Sequence, residues 1–230
     1  CPEGSAVELY RLLPGRGDTY ADDRLTLADG ASLKAAMGYL GRDAQVIDLN
    51  LAVDHAGRDT RSDIDVSGAL AGSAKKVFRG TIDFKHGSAG STGSEQETVL
   101  LLGDDVVNKT VPLILCAVEN VEGTHGATIG ALDEDTLLYF ESRGFDRAAA
   151  ESLMARAAVE RLAHDLGDEA TAETVLHELN GGVGHDQRIS KGFSPADGAG
   201  YRLSGQRGHG PAAPVRAGRG APLLLRAERQ

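Results

Sequence analysis

The chain has 230 residues, 24 Lys and Arg against 34 Asp and Glu, and a net charge of −10. An acidic body argues against a broad nucleic-acid surface, which needs a basic stripe. No apolar run reaches membrane-spanning length, and two cysteines far apart, Cys1 and Cys116, do not make a disulfide framework.

Charge is unevenly spread. Residues 181–230 hold eight Lys and Arg against three Asp and Glu, and eleven of these fifty residues are glycine. The segment has no apolar period, so a disordered, solvated tail is expected there. The start at Cys1 is read as a fragment or a trimmed chain. No charged-then-apolar leader opens it, and the expected location is cytoplasmic. Asn108-Lys109-Thr110 matches a glycosylation sequon but is read as chance.

Short strands are expected at 6–13 and 24–28, punctuated by Pro14, Gly15, Gly17, Asp29 and Gly30. From residue 44 the period sharpens to two. Ile47, Leu49, Leu51 and Val53 alternate with polar or small residues. Ile64 and Val66 do the same, as do Phe78, Gly80, Ile82 and Phe84. Val99–Leu102 and Val111–Val118 are continuous apolar runs, expected to be strands covered on both faces. No helix fits between these runs, and few linkers look like two-residue hairpins. A β-solenoid is favoured over a sandwich, although no sequence repeat is evident.

The Gly87–Ser94 loop is rich in Gly and Ser but lacks the lysine and spacing of a P-loop. It is read as a turn, so no nucleotide is expected on this chain. The carboxylates that alternate along the strands are read as a solvated outer face. Cys116 falls in line with Ile114 and Val118 and is read as a buried small hydrophobe.

Helical sequence begins at residue 132. Asp133 is placed to cap a helix, Glu134 and Asp135 suit its first turn, and Gly144 suits a left-handed stop. A second helix is expected from Asp146 to Gly167, with a stripe of Ala150, Leu153, Met154, Ala157, Ala158 and Leu162. A third is expected from Asp168 to Gly181. The division is therefore a β core at 1–131, a helical unit at 132–180, and the tail at 181–230.

His125 lies in a Thr-His-Gly turn where the β region ends. By itself it reads as a hydrogen-bonded turn histidine, and no CxxC, HExxH or GxSxG accompanies it. The residues alone describe an acidic β-stack with a helical end and no recognisable active site, so the chain is not expected to be an enzyme.

Specific blocks carry more. Phe78-Arg79-Gly80-Thr81-Ile82, Gln96, Leu100-Leu101-Leu102 and Pro112 are followed by His125-Gly126-Ala127-Thr128, Gly130, Asp133-Glu134, Leu137, Tyr139 and Ser142-Arg143-Gly144. Over about 95 residues, from 74 to 168, the chain resembles the SufB/SufD family of iron–sulfur cluster assembly proteins. The resemblance implies a right-handed parallel β-helix with a small C-terminal α-helical domain. It implies docking of a SufC-type ATPase on the helices, and pairing with a SufB-type subunit or a second copy at the end of the β-helix. It also implies that His125 is a metal-contacting residue at an interface, where an iron–sulfur cluster is held transiently and shared with the partner subunit. A self-sufficient cluster takes four thiolates, and this chain has two.

The departures favour a SufD-like reading. The position of the SufB scaffold cysteine falls on Glu97. Gly126 follows the histidine, where SufB tends to have glutamate. Gly123 stands where SufD proteins often have cysteine. The family's N-terminal helical region is not matched. Two rival readings are a β-solenoid enzyme acting on polysaccharide and a degenerate scaffold homologue. Secretion and a clustered Asp/Arg groove would distinguish the enzyme.

Overall fold

The computed structural model describes residues 1–13, 17–165 and 173, and the strand 223–229. Nine strands come first in order: β1 Ser5–Leu13, β2 Thr19–Leu27, β3 Ser32–Gly41, β4 Val46–His55, β5 Arg61–Ala71, β6 Lys75–Phe84, β7 Thr92–Leu102, β8 Val107–Cys116 and β9 Glu122–Gly130. Two helices follow, α1 Glu134–Ser142 and α2 Arg147–Asp165, and then β10 Leu223–Arg229. Odd strands stack in one sheet, ordered β10-β1-β3-β5-β7-β9, and even strands stack in the other, ordered β2-β4-β6-β8. All pairings are parallel except β1 with β10. The described residues thus form a parallel β-helix of about four coils with two helices. Thr92 pairs with Arg61 below and Glu122 above, so a coil spends about 30 residues.

The repeat is carried by the backbone. One corner recurs in left-handed conformation at Gly4, Gly30, Asp59 and Gly90, and the opposite corner at Asp43, Gly72 and Gly103. Glycine takes this conformation freely and aspartate tolerates it. The first corner also hands its N–H to the next coil, as in Gly4 to Asp29 at 2.8 Å, Gly30 to Arg58 at 2.8 Å and Gly90 to Asn120 at 2.7 Å. The glycine-rich loop is one such corner.

Alternation sets the core. Leu9, Leu33, Ile64, Leu49, Leu51, Val53, Phe78, Ile82 and Phe84 fill the solenoid interior. The run at 1–40 holds a strand the sequence reading missed, β3, whose Leu33, Ala35, Met37 and Tyr39 face inward and whose Ala36 and Leu40 face α2.

The first two of the three expected helices form. Asp133 caps α1 by accepting from Thr136 N at 2.6 Å, and Gly144 takes φ 87°. Asp146 accepts from Ala149 N at 2.8 Å before α2. The stripe of α2 is rotated from the expected one: Ala150, Val159 and Leu162 are buried, whereas Leu153 is exposed. Val159 and Leu162 pack on Tyr10, Leu12, Ala36, Leu40, Ala69 and Leu102 of the odd sheet. Gly38 makes this possible, since a Cβ there would run into Leu12 and Leu162. Arg161 bonds to Asp65 at 3.2 Å and Ser67 at 3.0 Å, tying the helix to β5.

Three expectations are corrected. The run from Val111 is not covered on both faces: Val111, Leu113 and Leu115 of β8 are 52%, 45% and 42% exposed on the outer side. Nor is Cys116 buried; it is exposed, because no described strand pairs with β8 above it. Residues 223–229, expected to lie in a disordered tail, form β10. The remainder of the tail, 181–222, lies outside the described residues. So does the expected third helix, apart from Glu173.

Candidate functional site at the open end of the solenoid

β8 and β9 are the outermost strands of their sheets at this end, so each has an edge that pairs with no described strand. The face of β9 in register with the interior of β7 carries Gly123, His125, Ala127 and Ile129, above Gly93, Glu95, Glu97 and Val99. In deeper coils these positions are buried. Here His125, Ala127 and Ile129 are exposed, because the interior simply ends. His125 is therefore brought to the open end, as a strand residue rather than a turn residue. Glu95 lies beneath it in register and Glu97 beneath Ala127, and Cys116 lies on the same coil in register with Phe84.

The interior below this end changes character. Earlier coils are lined by Leu, Ile and Val; the coil of β6 and β7 holds Lys76, Glu95 and Glu97. Lys76 and Glu97 are fully buried and form a salt bridge. Thr110 Oγ1 donates to Glu97 at 2.5 Å and accepts from Lys76 at 3.2 Å. The Lys76 ammonium also sits 5.6 Å from the Tyr39 ring and 5.7 Å from the Phe78 ring. Burial lowers the Lys76 pKa, and the Glu97 charge opposes that. The Tyr39 hydroxyl is buried without a hydrogen bond of ordinary geometry. Its pKa is held well above the usual value by burial first and then by the Glu97 charge.

Glu95 is 4% exposed and lies near the Lys76–Glu97 pair, whose charges both act on it. Its carboxylate lies over Gly80, in the space a Cβ there would fill. Burial, and then the Glu97 charge, push its pKa up to about 7, while Lys76 pulls the other way. The expectation of a wholly solvated set of carboxylates thus fails at Glu95 and Glu97. Parity with Val99 on the same strand was the available signal.

A second buried polar group lies at one corner. His55 Nδ1 is 2.7 Å from Thr60 Oγ1 and its Nε2 is 2.9 Å from Ser62 Oγ. Thr60 Oγ1 donates to Ser91 Oγ at 2.7 Å, linking two successive coils. Burial lowers the His55 pKa to about 4, so the ring is neutral, and it lies 4.6 Å from the Phe84 ring. This is a structural network, since all of its members are buried.

Among the described residues no group of three or more His, Cys, Asp or Glu side chains is gathered to hold a metal ion. No described helix is long and apolar enough to cross a membrane. The open end thus offers exposed His125, two free strand edges and buried charge beneath them.

Residues 1–158 match the family model described as SUF system FeS cluster assembly, SufBD core domain. The chain is 26% identical over 151 residues to the iron–sulfur cluster assembly protein SufD of Bacillus subtilis, covering 65% of this chain and 35% of that protein. It is 28% identical over 148 residues to the chloroplastic SufBD family protein ABCI8 of Arabidopsis thaliana, covering 63% of this chain and 27% of that one. It is also 28% identical over 105 residues to SufD of Escherichia coli, covering 46% and 25%. The chain thus spans between a quarter and about a third of the length of these relatives. On the family match and the β-helix together, the chain belongs to the SufB/SufD family of iron–sulfur cluster assembly proteins and is SufD-like.

Proposed function

We propose that this chain acts as the SufD-like subunit of a cytoplasmic SUF assembly complex, joining a SufB-type partner at its open end and a SufC-type ATPase through its helices. It contributes no catalysis of its own. The observation that carries the reading is the uncapped fourth coil. Two edges that pair with no described strand, β8 and β9, together with an exposed inner face, are a template for another chain's strands. The outer row of Val111, Leu113 and Leu115 supports this, since that row is apolar on a sheet whose other strands carry outward Asp48, Asp83, Arg79 and Lys75. The partner is a SufB-type subunit or a second copy of this chain.

His125 is the metal-contacting residue of that interface. Its exposed imidazole offers one nitrogen to iron, and the remaining ligands of the shared, transient cluster come from the partner. His125→Ala removes an exposed side chain and is expected to leave the melting temperature of the chain nearly unchanged. Iron and sulfide incorporation into the reconstituted three-component complex is expected to fall at least tenfold. Assembly at the wild-type rate would show His125 to be structural only.

The helical unit, 132–180, is the docking element for the ATPase. Because α2 buries Val159 and Leu162 on the odd sheet, the partner-facing residues must lie elsewhere. Leu138 and Tyr139 on α1 and Leu153 on α2 are exposed. The double substitution Leu138→Glu, Tyr139→Ser is expected to abolish co-purification with the ATPase and shift the melting temperature by less than about 2 °C. Retained co-purification would place the docking surface outside α1.

A further inference from the structure

The two ends of the odd sheet differ. At one end the inward positions of β9, His125, Ala127 and Ile129, are exposed, and no described strand lies beyond them. At the other end Val7 and Leu9 of β1 are only 8% and 1% exposed, although β1 begins the stack of coils. Beyond β1 lies β10, Leu223–Arg229, antiparallel to it. The even sheet supplies the contrast within the same coil. There β2 pairs with β4 alone among the described strands, and its Ala21 and Leu25 are only partly buried. Full burial at this end thus follows β10.

The register gives β10 the chemistry of one more strand. Leu225 and Ala227 stand opposite the inward Leu9 and Val7, and Leu224 stands opposite Tyr10. Arg226 stands opposite Glu8. On its other side Glu8 is in register with Lys34, and Lys34 with Asp63. One rung across β10, β1, β3 and β5 therefore alternates in charge: Arg226, Glu8, Lys34, Asp63. Opposite charges across a strand pair favour a register, and like charges oppose it. A slip of one residue would set Arg226 opposite Leu9 or Val7 and lose the rung.

β10 is also separable. It pairs with β1 alone, so its removal breaks no pairing between other strands. The match to the SufBD core ends at residue 158, well before it. We propose that the β1 edge is a strand-accepting site for an extended peptide, and that residues 223–229 are its resident ligand, bound in cis. The segment seals this edge against the strands of other chains and leaves β9 as the accepting edge of the odd sheet. The edge selects an antiparallel strand with apolar residues opposite Leu9 and Val7 and a cation between them, opposite Glu8.

The test has two arms. The first uses the full chain with Cys1→Ser and Cys116→Ser. Adding Glu8→Cys and Arg226→Cys is expected to give, on mild oxidation, a disulfide within one chain. The pair Glu8→Cys and Leu223→Cys, three positions off register, is expected to stay reduced, because its Cα atoms lie beyond bridging distance. A disulfide between two chains, or none in the registered pair, overturns the proposal. The second arm ends the chain at Pro222 and adds a fluorescent peptide of residues 223–229. The shortened chain is expected to bind it saturably and the full chain to ignore it. Arg226→Glu in the peptide is expected to weaken binding roughly fivefold or more. Amide exchange on the shortened chain is expected to keep β3–β7 protected and to lose protection at alternate residues of β1, those whose N–H does not point to β3. No peptide binding by the shortened chain, or equal binding by the full chain, overturns the proposal. Lost protection throughout β3–β7 does so too, since β10 would then be part of the core and not a ligand on it.

Discussion

Glu97→Ala is expected to be among the most damaging single substitutions in the solenoid, lowering stability by about 3–5 kcal/mol. Glu97 and Lys76 are both fully buried, and each is the other's counter-charge. Removing the carboxylate leaves an ammonium in the interior with the Thr110 hydroxyl, the faces of Tyr39 and Phe78 and the more distant Glu95 around it. Breaking a buried pair from one side strands a desolvated charge, which is the costly event; the pair itself can be close to neutral against an apolar replacement. The melting temperature should therefore drop by roughly 10 °C. The double variant Lys76→Met, Glu97→Leu should recover most of this, and a thermodynamic cycle would give a large favourable coupling. A double variant no better than Glu97→Ala would mean that the pair is needed for shape rather than for charge balance.

The second large effect is a pH dependence rooted in His55. The folded-state pKa is about 4, lowered chiefly by burial and raised in part by Asp54 and Asp83, against an ordinary value of 6.5. Between those two values the unfolded chain binds a proton that the folded chain does not. Stability therefore rises with pH across this window and is lost as pH falls from 6.5 to about 4, by about 3 kcal/mol in all. Glu95 acts in the opposite sense. Its carboxyl is protonated in the folded chain up to about 7, so its contribution is lost as pH rises from 4.5 to about 7. The two slopes oppose each other, and the wild-type chain should show a shallow profile. In Glu95→Gln the opposing slope is gone, so urea melts between pH 7 and pH 4 should expose the His55 loss in full. Adding His55→Leu to that variant lowers stability throughout, because Thr60 and Ser62 lose their partner, but removes the slope. A slope that survives His55→Leu would assign the acid sensitivity to other groups.

These effects share one location, the solenoid interior, and the sequence reading was weakest there. Alternation was legible where the inward residues were apolar. Ile47 to Val53 and Phe78 to Phe84 declared their strands without help. Inward polar residues carry no such label. Lys76 has the same parity as Phe78, and Glu97 the same parity as Val99, yet an isolated charge next to a strand reads as solvent-facing by default. His55 ends β4 in what looks like a loop; its partners Thr60 and Ser62 come from β5 and the approach to it, and Thr60 in turn bonds to Ser91 about 30 residues later.

By itself the sequence determined the β-stack with helices after it, the caps of both described helices, and the His125 block that points to the family. Those features are local: period two, a capping aspartate, a glycine stop and a run of specific residues all lie within a few turns of chain. The tertiary structure alone decided the rest. It showed four coils with left-handed corners at unlike residues, since a backbone repeat needs no repeated side chains. It put α2 on the odd sheet through Val159 and Leu162 rather than Leu153, because the sheet's own relief at Gly38 chooses the helix face. It exposed Leu113, because that side chain points outward from β8, and Cys116, because no described strand lies above the end coil. It set Glu95 beneath His125, two residues 30 positions apart along the chain that only the coil register brings together.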